Sequence, residues 1–363
     1  MTTVFSRNAL SARFLSVHRQ NLAVSSRHIH SSPLRAAVAH PITAHGPPPK
    51  APAASPVLAE TNETQTLSTS TLGAQDMSQV KKPSPLKKRF WKDVHVHGKT
   101  GEYQVLLDKR PVRTPNKDIL SIPATKPHLA HAVALEWDVM TSAQHALKSH
   151  LIPLTSLAAR AADIVREDAA GERTTRDQIV TTAMRYLDTD TLLCWEPERQ
   201  RNALDRVGET GSVESLRNIQ MRVAKKIMAF LSTKVWPGLE IVPMLDTESI
   251  MPVSQPRATQ ESIRAWLYEL NAHDLAGVER AILASKSLLV AVRLMVEWSE
   301  NFRHLQRQGV KKFGLEEATE AANLEVQWQT DMWGEVEDTH DVDKEDLRRQ
   351  LGSVVILVSG ETR

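Results

Sequence analysis

Short alternating runs of apolar and polar residues mark the start of the folded part of the chain. Val94 to His97 alternates in this way, and Tyr103 to Asp108 follows after a glycine-containing turn, which predicts a β-hairpin. Prolines then separate two shorter extended pieces, Val112 to Thr114 and Ile119 to Ile122. The strand pattern ends there, so the predicted β structure is confined to one small region.

Beyond that region the apolar residues recur every three or four positions, which is the spacing of one helix face. His128 to Met140 has this spacing, and a second helix can begin at Pro153. Arg176 to Leu187 forms a third, with Thr174 or Thr175 as its candidate cap. Later helices are predicted at 217–233, 258–271, 274–298 and 315–333. The one at 274–298 is apolar on most sides, so it is predicted to be the central core helix.

Together these patterns predict an α+β fold, with a small N-terminal β-rich domain followed by a larger, mainly α-helical domain. The β-rich domain is expected at 86–160, where it includes the first helices, and the helical domain at 161–363. The polar, glycine-containing stretch 202–218 is predicted to be an inserted loop. Residues 37–85 are rich in Pro, Ala and Ser and are predicted to be a disordered linker.

The first 36 residues have the composition of a mitochondrial presequence. They contain five arginines and no Asp or Glu, so they carry +5 and leave −3 on the rest of a chain whose net charge is +2. Arginine-rich, serine-rich, acid-poor and amphipathic segments are typical of import signals. Arg27 to Ser32 resembles the two-step matrix cleavage pattern, which would place the mature start near Ala37. The alternative is a disordered basic tail; the expected location is the mitochondrial matrix.

Composition limits the other classes of function. Cys194 is the single cysteine, so neither an intrachain disulfide nor a cysteine-only metal site can form. No apolar run approaches the roughly 20 residues of a membrane span, and no membrane insertion is expected. The basic balance comes from the first segment and gives no argument for nucleic-acid binding by the folded body. No glycine-rich phosphate loop is present, and no metal or cofactor is predicted.

Asp188 and Asp190 invite a catalytic interpretation. They resemble the two-aspartate loop of haloacid-dehalogenase-type phosphotransferases, in which one carboxylate is the nucleophile and the other the general acid above a magnesium ion. That chemistry needs the pair at the tip of a buried parallel strand, whereas Ile179 to Leu187 has helical spacing. A helix C-terminus whose acids bind nearby backbone fits better. A magnesium-dependent phosphotransferase remains the alternative function.

The run from Leu324 to Asp346 combines dense negative charge with large apolar side chains. It contains nine acids and one base, with Trp328, Met332 and Trp333 among them. Aromatic rings beside charge suit a surface that binds another protein, while the alternative is a solvated acidic helix with its rings turned into the core.

Several motifs, in a fixed order and spacing, resemble one family. They are Leu107 to Pro115, Ala134 to Asp138, Arg185 to Thr191, Leu324-Glu325, Trp328-Gln329 and Trp333-Gly334. In this arrangement the chain resembles the mitochondrial F1-ATPase assembly chaperones that bind the alpha subunit (ATP synthase F1 complex assembly factor 2). The resemblance runs from about Phe90 to Gln350. The tail Leu351 to Val358 is unusually β-branched for that family.

The resemblance implies a chaperone that binds the free alpha subunit of F1 and prevents its aggregation before the alpha/beta hexamer forms. It implies no enzymatic activity and no cofactor, and a monomer is expected. Glu325, Trp328, Gln329 and Trp333 become the candidate partner-binding residues, and Glu325 could pair with an Arg or Lys of the client. Four further motif residues are assigned structural roles: Trp137 and Asp138 would hold the β part against the helices, and Asp188 and Asp190 form a family signature.

The two tryptophans of the acidic run set a geometric question. Trp328 and Trp333 lie five residues apart, about 140° around a helix. They cannot share one narrow stripe, so one is expected to pack inward while the other, near Glu325, meets the client.

Overall fold

The computed structural model describes residues 88–197, 214–244, 253–306, 309 and 311–361. The predicted presequence at 1–36 and the predicted linker at 37–85 lie outside these residues, as does most of the predicted loop at 202–218. The last residues of that loop prediction are described, and there it is wrong. Ser215 caps a helix that begins at Leu216, because its hydroxyl accepts a hydrogen bond from the amide of Asn218.

The β structure is an antiparallel sheet centred on one strand. Strands β1 (Val94–Lys99) and β2 (Glu102–Leu107) form the predicted hairpin. The other edge of β2 pairs with two short strands, β3 (Arg110–Pro111) and β4 (Ser121–Pro123). In the tight turn of the hairpin Gly101 has φ +84°, a conformation that glycine adopts without steric cost.

Helices make up most of the remaining described structure. Their bounds are α1 Pro127–Val139, α2 Pro153–Ala170, α3 Thr174–Leu187, α4 Leu216–Phe230, α5 Arg257–Glu269, α6 Ala272–Ser285, α7 Leu288–Trp298, α8 Leu315–Trp333 and α9 His340–Val358. Short 3-10 turns lie at Ala143–Leu147, Ser149–Leu151, Thr191–Leu193 and Glu300–Leu305, and a π-helical turn at Leu231–Val235 extends α4. A small antiparallel sheet followed by helices confirms the predicted α+β class.

The predicted central helix at 274–298 is wrong in one respect, because it is two helices. Lys286 has φ +59° and ends α6, and the hydroxyl of Ser287 accepts a hydrogen bond from the amide of Val290 to begin α7. The two helices still form the core, since the first nine residues of α7 are buried apart from the partly exposed Arg293. Close packing continues at Gly277 of α6, where a β-carbon would stand 2.7 Å from the side chain of Val358.

Helix α9 is an element that the hydrophobic pattern did not predict. Its buried apolar residues recur with helical spacing and are Leu347, Leu351, Val354, Leu357 and Val358. Two of the β-branched residues that distinguish this tail, Val354 and Val358, are therefore on the core face of a helix that packs on α6 and α8, and Val355 and Ile356 are partly buried beside them. β-Branched residues have a slightly lower helix propensity, but burial of this apolar face stabilises the helix by more than that loss.

The predicted threonine cap of α3 is also wrong. Neither Thr174 nor Thr175 caps the helix through its own side chain, because both lie inside it. Instead the carboxylate of Glu167, at the end of α2, accepts hydrogen bonds from the backbone amide and the hydroxyl of Thr175, each at 2.8 Å. A carboxylate at a helix N-terminus also favours the helix dipole.

The C-terminal end of the chain is tied to the start of α1. The side chain of Lys126 is buried, and its ammonium contacts Glu300 at 2.8 Å and donates to the carbonyls of Val358 at 3.0 Å and Ser359 at 2.8 Å. Each of the three N–H groups of the ammonium thus has an acceptor. Two of these acceptors are carbonyls at the end of α9, which have no amide partner within the helix. The amide of Glu361 adds a hydrogen bond to the residue before Lys126.

Candidate functional site

An apolar and acidic surface lies where α8 ends and α9 begins. Its exposed apolar side chains are Val326, Met332, Trp333, Val336 and Val342, and its exposed acids are Glu325, Asp331, Glu335, Glu337, Asp338, Asp341, Asp343 and Glu345. We call these residues the acidic–apolar surface. Trp333 is 76% exposed, which is unusual for the largest apolar side chain and typical of an interaction site.

The two tryptophans of this region contact each other. Their rings meet edge to face, 6.3 Å apart at 83°. Trp328 is half-buried, and its indole N–H is enclosed without an acceptor in the described part of the chain, whereas Trp333 projects into solvent. The outward ring is therefore Trp333, at the last residue of α8, and Trp328 lies beneath it.

Glu325 and Gln329 share one face of α8. The amide of Gln329 donates to the Glu325 carboxylate at 3.2 Å. Within the described residues no Lys, Arg or His forms an ion pair with that carboxylate, and a cavity of about 140 Å³ opens beside it, between α8, α4 and the turn Thr191–Leu193. The structure thus places Glu325, Trp328, Gln329 and Trp333 in one stretch of α8, with Glu325 and Trp333 exposed.

Asp188 and Asp190 are two residues apart but have different surroundings. Asp188 is exposed at the end of α3. Asp190 is completely buried, and its two carboxylate oxygens accept from the amides of Leu192 and Leu289, each at 3.0 Å. Burial raises the pKa of Asp190 to about 6, although hydrogen bonds from Ser287 and these amides oppose the shift.

Asp190 therefore joins the turn after α3 to the N-terminus of α7. The first amides of a helix have no carbonyl partner within it, and a carboxylate there accepts their hydrogen bonds. The residues before the pair are helical, and the sheet among the described residues is antiparallel. This geometry lacks the strand tip that the two-aspartate chemistry requires. Among the described residues, no group of three or more His, Cys, Asp or Glu side chains could hold a metal ion.

Trp137, near the end of α1, contacts α2 and Trp91, which precedes the first strand. Its indole N–H donates to the hydroxyl of Thr155 at 3.1 Å, and its carbonyl accepts from the indole of Trp91 at 3.2 Å. The rings of Trp91 and Trp137 are 5.4 Å apart. The backbone carbonyl of Asp138 accepts from Arg89 at 2.7 Å. Trp137 thus contacts both Trp91, just before the sheet, and α2, while the hydrogen bond at Asp138 is made by its backbone; that the pair holds the β part against the helices stays a prediction.

Glu136, within the motif Ala134 to Asp138, has a role that the motif does not indicate. Its carboxylate accepts from the amides of Leu154 at 2.7 Å and Thr155 at 2.8 Å, and so caps α2 from the preceding helix. Burial raises the pKa of Glu136, while these hydrogen bonds lower it. One sequence signal could have indicated this role. Pro153 marks the start of α2, but the residue before it, Ile152, has no side chain that can cap the helix, so the cap had to come from elsewhere.

Comparison with known proteins decides the family. The model of the family described as "ATP12 chaperone protein" matches residues 88–232. Over 284 residues the chain is 30% identical to the mitochondrial protein atp12 of Schizosaccharomyces pombe, an alignment that covers 76% of this chain and 83% of that relative. This chain belongs to the ATP12 chaperone family. The mitochondrial protein ATP12 of Saccharomyces cerevisiae is 29% identical over 287 residues, covering 75% of this chain and 84% of that relative.

Solved structures agree on the fold. Atp12 from Paracoccus denitrificans superposes with a TM-score of 0.53 at 21% identity, covering 75% of this chain and 97% of that chain. A putative chaperone from Agrobacterium tumefaciens superposes with a TM-score of 0.52 at 22% identity, covering 75% and 85%. Membership of the ATP12 family confirms the resemblance drawn from the motifs. Because this is a chaperone family and not an enzyme family, the phosphotransferase alternative is set aside.

Proposed function

We propose that this chain is an assembly chaperone of the mitochondrial matrix that binds the free alpha subunit of the F1 sector of ATP synthase. It holds the subunit in solution until the alpha/beta hexamer forms. Membership of the ATP12 family supports a chaperone role in ATP synthase assembly, and the motif resemblance names the alpha subunit. The observation that carries the proposal on this chain is the exposure of Trp333 and Met332 at the end of α8, among acidic side chains.

The physical reasoning begins with the client. A subunit that has not yet assembled exposes an interface that is larger and more apolar than ordinary protein surface, and it is prone to aggregate. A chaperone that covers such a surface needs apolar anchors. Trp333, Met332 and Val336 supply them, since aromatic and Met side chains are enriched at binding interfaces.

The charge of the site determines which client surfaces are complementary to it. The exposed acids of the acidic–apolar surface create a negative field around the anchors, so the complementary client surface carries Lys or Arg. Such charges contribute more to the rate of encounter and to the choice of partner than to final affinity. We infer that the apolar anchors hold the client while Glu325 and its acidic neighbours select it.

The test is capture of subunits by residues 37–363. We expect the alpha subunit alone, and not the assembled hexamer or the beta subunit, to co-purify. Trp333→Ser is expected to weaken binding by about thirtyfold, the size of a hot-spot residue worth about 2 kcal/mol. Glu325→Lys is expected to weaken it further, because the new charge repels the client's cations.

Two variants serve as matched controls. Glu320→Lys makes the same charge reversal at an exposed position on the same helix, and Phe90→Ser removes another exposed aromatic ring. Both should bind as the unaltered chain does. Capture of the beta subunit in place of the alpha subunit, or full binding by Trp333→Ser and Glu325→Lys, would overturn the proposal.

A further inference from the structure

The cavity beside Glu325 is formed by three separate parts of the chain. It has a volume of about 140 Å³ and is lined by residues of α8, by Gln220 of α4, and by Thr191 and Leu192 of the turn that follows α3. We call it the Glu325 pocket. Two regions that sequence analysis treated separately, the motif at 185–191 and the motif at 324–325, meet at this pocket.

Two of the polar side chains at the Glu325 pocket, Thr191 and Glu325, have oxygen atoms that can accept a further hydrogen bond. The Thr191 hydroxyl donates to the carbonyl of Lys286 at 3.3 Å, which leaves its oxygen lone pairs to accept. The side chain of Gln220 is engaged at both ends, because its nitrogen donates to the carbonyl of Cys194 at 3.3 Å and its oxygen accepts from the amide of Glu196 at 2.7 Å. The Glu325 carboxylate accepts from Gln329 through one oxygen only. No Lys, Arg or His is among the residues that line the pocket.

The remaining walls are apolar. Leu192, Ala322 and Val326 supply them, so the pocket joins aliphatic sides to an acidic lip. Lys and Arg have the matching structure, an aliphatic stem with a charged end that can only donate. A cavity of about 140 Å³ is large enough for the end of one long side chain.

We propose that the Glu325 pocket receives one Lys or Arg side chain of the client, with its stem against Ala322 and Leu192 and its charge on the Glu325 carboxylate. This inference rests on the proposed function, because it names the feature of the client that this site recognises. The hydroxyl oxygen of Thr191 then acts as a further acceptor for a remaining N–H group of the cation.

The pocket is held open by contacts on the side away from the client. The amide of Thr191 donates to Lys286 at 3.3 Å, and buried Asp190 accepts from Leu192 on one oxygen and from Leu289 of α7 on the other. The wall opposite Glu325 is therefore fixed to the core helices before any client arrives. Pre-organisation of this kind lowers the entropic cost of binding. Asp190 is thus a positioning residue for the pocket.

The local field agrees with a cationic occupant. Burial raises the pKa of the Cys194 thiol, and the charges of Asp190 and Glu325 raise it further. A negative potential that disfavours a thiolate favours an ammonium or guanidinium group.

The experiment compares the affinity of the alpha subunit for four chains. Ala322→Met fills the pocket with an unbranched side chain that suits a helix, and Glu325→Gln removes its charge while keeping its shape. Each is expected to weaken binding at least tenfold. The double variant should be no more than about threefold weaker than the weaker single variant, because both changes remove the same contact. Ala162→Met, a partly buried alanine on α2, is the matched control and should bind normally.

The client side of the contact is identified with the same variants. Lys and Arg residues on the alpha subunit are replaced by Ala one at a time. Replacing the residue that enters the pocket should weaken binding to the unaltered chain but cause no further loss of affinity for Glu325→Gln. Affinity should also fall less steeply with salt for Glu325→Gln than for the unaltered chain.

The possible outcomes separate the two proposals. If the unaltered chain fails to bind the alpha subunit, the proposed function itself is wrong. If Trp333→Ser abolishes binding but Ala322→Met and Glu325→Gln bind as the unaltered chain does, the function stands and the pocket assignment is wrong. Thermal melting checks that Ala322→Met is folded, and Glu325→Gln, at an exposed position, decides the question if it is not.

Discussion

The buried carboxylate of Asp190 predicts a specific dependence of stability on pH. Its pKa is raised from 3.8 to about 6 in the folded chain. Between these two values the folded state binds more protons than the unfolded state, so this group stabilises the fold as pH falls through about 6, and the gain is complete below about 4. The change we consider is Asp190→Asn, which removes the titration and retains the size and shape of the side chain.

The magnitude follows from the size of the shift. At pH 7.5 the carboxyl is ionised in both states, whereas at pH 5 it is protonated in the folded chain and ionised in the unfolded one. One pH unit below the folded pKa corresponds to about 1.4 kcal/mol. The free energy of unfolding of the unaltered chain, minus that of Asp190→Asn, should therefore be about 1.4 kcal/mol larger at pH 5 than at pH 7.5.

Subtraction between the two chains is essential because other buried groups titrate in the same range. Burial raises the pKa of Asp274 to about 6, which has the same sign, and lowers the pKa of His273 to about 4, which has the opposite sign. Both lie at the start of α6, and Asp190 contacts the start of α7. The length of α6, about 20 Å, separates them, so the effects should add independently.

The assay is urea unfolding of residues 37–363 followed by tryptophan fluorescence, at pH 5 and pH 7.5, with equal m-values as the check that one transition is being compared. Asp188→Asn removes a carboxylate from the exposed position two residues earlier and is the matched control for loss of charge. A difference that is the same at both pH values, or larger at pH 7.5, would refute the assignment of Asp190 as a buried carboxyl with a raised pKa.

Three further predictions concern stability. Trp137→Arg should place a charge in the junction between the sheet and α2 and lower soluble yield and melting temperature; normal yield and melting would contradict that role for Trp137. Lys126→Met should cost about 3 kcal/mol in chemical denaturation, because it leaves the partly buried Glu300 carboxylate without its cation and the carbonyls of Val358 and Ser359 without their donor; an unchanged midpoint would contradict a stabilising role for these contacts. Glu167→Ala should cost about 1 kcal/mol by removing the cap of α3, with Glu172→Ala at a nearby exposed position as its control; equal losses for both would contradict the capping role.

Sequence periodicity predicted the α+β class and the helices whose polar and apolar faces are distinct. The periodicity predicted one helix in place of α6 and α7 because both are apolar on most sides. In a helix that is buried on all sides, the pattern of apolar residues does not change at the helix end. The missed signal was the pair Ser285 and Ser287 inside the apolar run, where serine hydroxyls bind backbone and interrupt the helix. Helix α9 was missed for the opposite reason, since its start is acidic and polar and its core face appears only in its second half.

The candidate site shows a similar division. Acidic and aromatic residues close together in sequence indicated a surface, but which ring is exposed depends on tertiary packing around α8. The caps of α2 and α3 come from Glu136 and Glu167, each in the preceding helix. At α7, beside the local cap by Ser287, a second acceptor comes from Asp190, which is 99 residues from the amide that it binds. No local motif encodes a cap supplied from another element, so only the fold could reveal these three.

The contacts of the Lys126 ammonium also bear on the order in which parts of the chain fold. Its carbonyl partners at Val358 and Ser359 lie 232 and 233 residues further along the chain. When such a chain is delivered with its N-terminus first, α1 and the ammonium of Lys126 emerge long before the residues that complete their coordination. The loop to be closed is among the longest that this sequence can form, and contacts of this kind are made late. The contacts between Lys126 and the end of α9 therefore form only after the last residues of α9 are present, and a chain that stops short of Val358 lacks them.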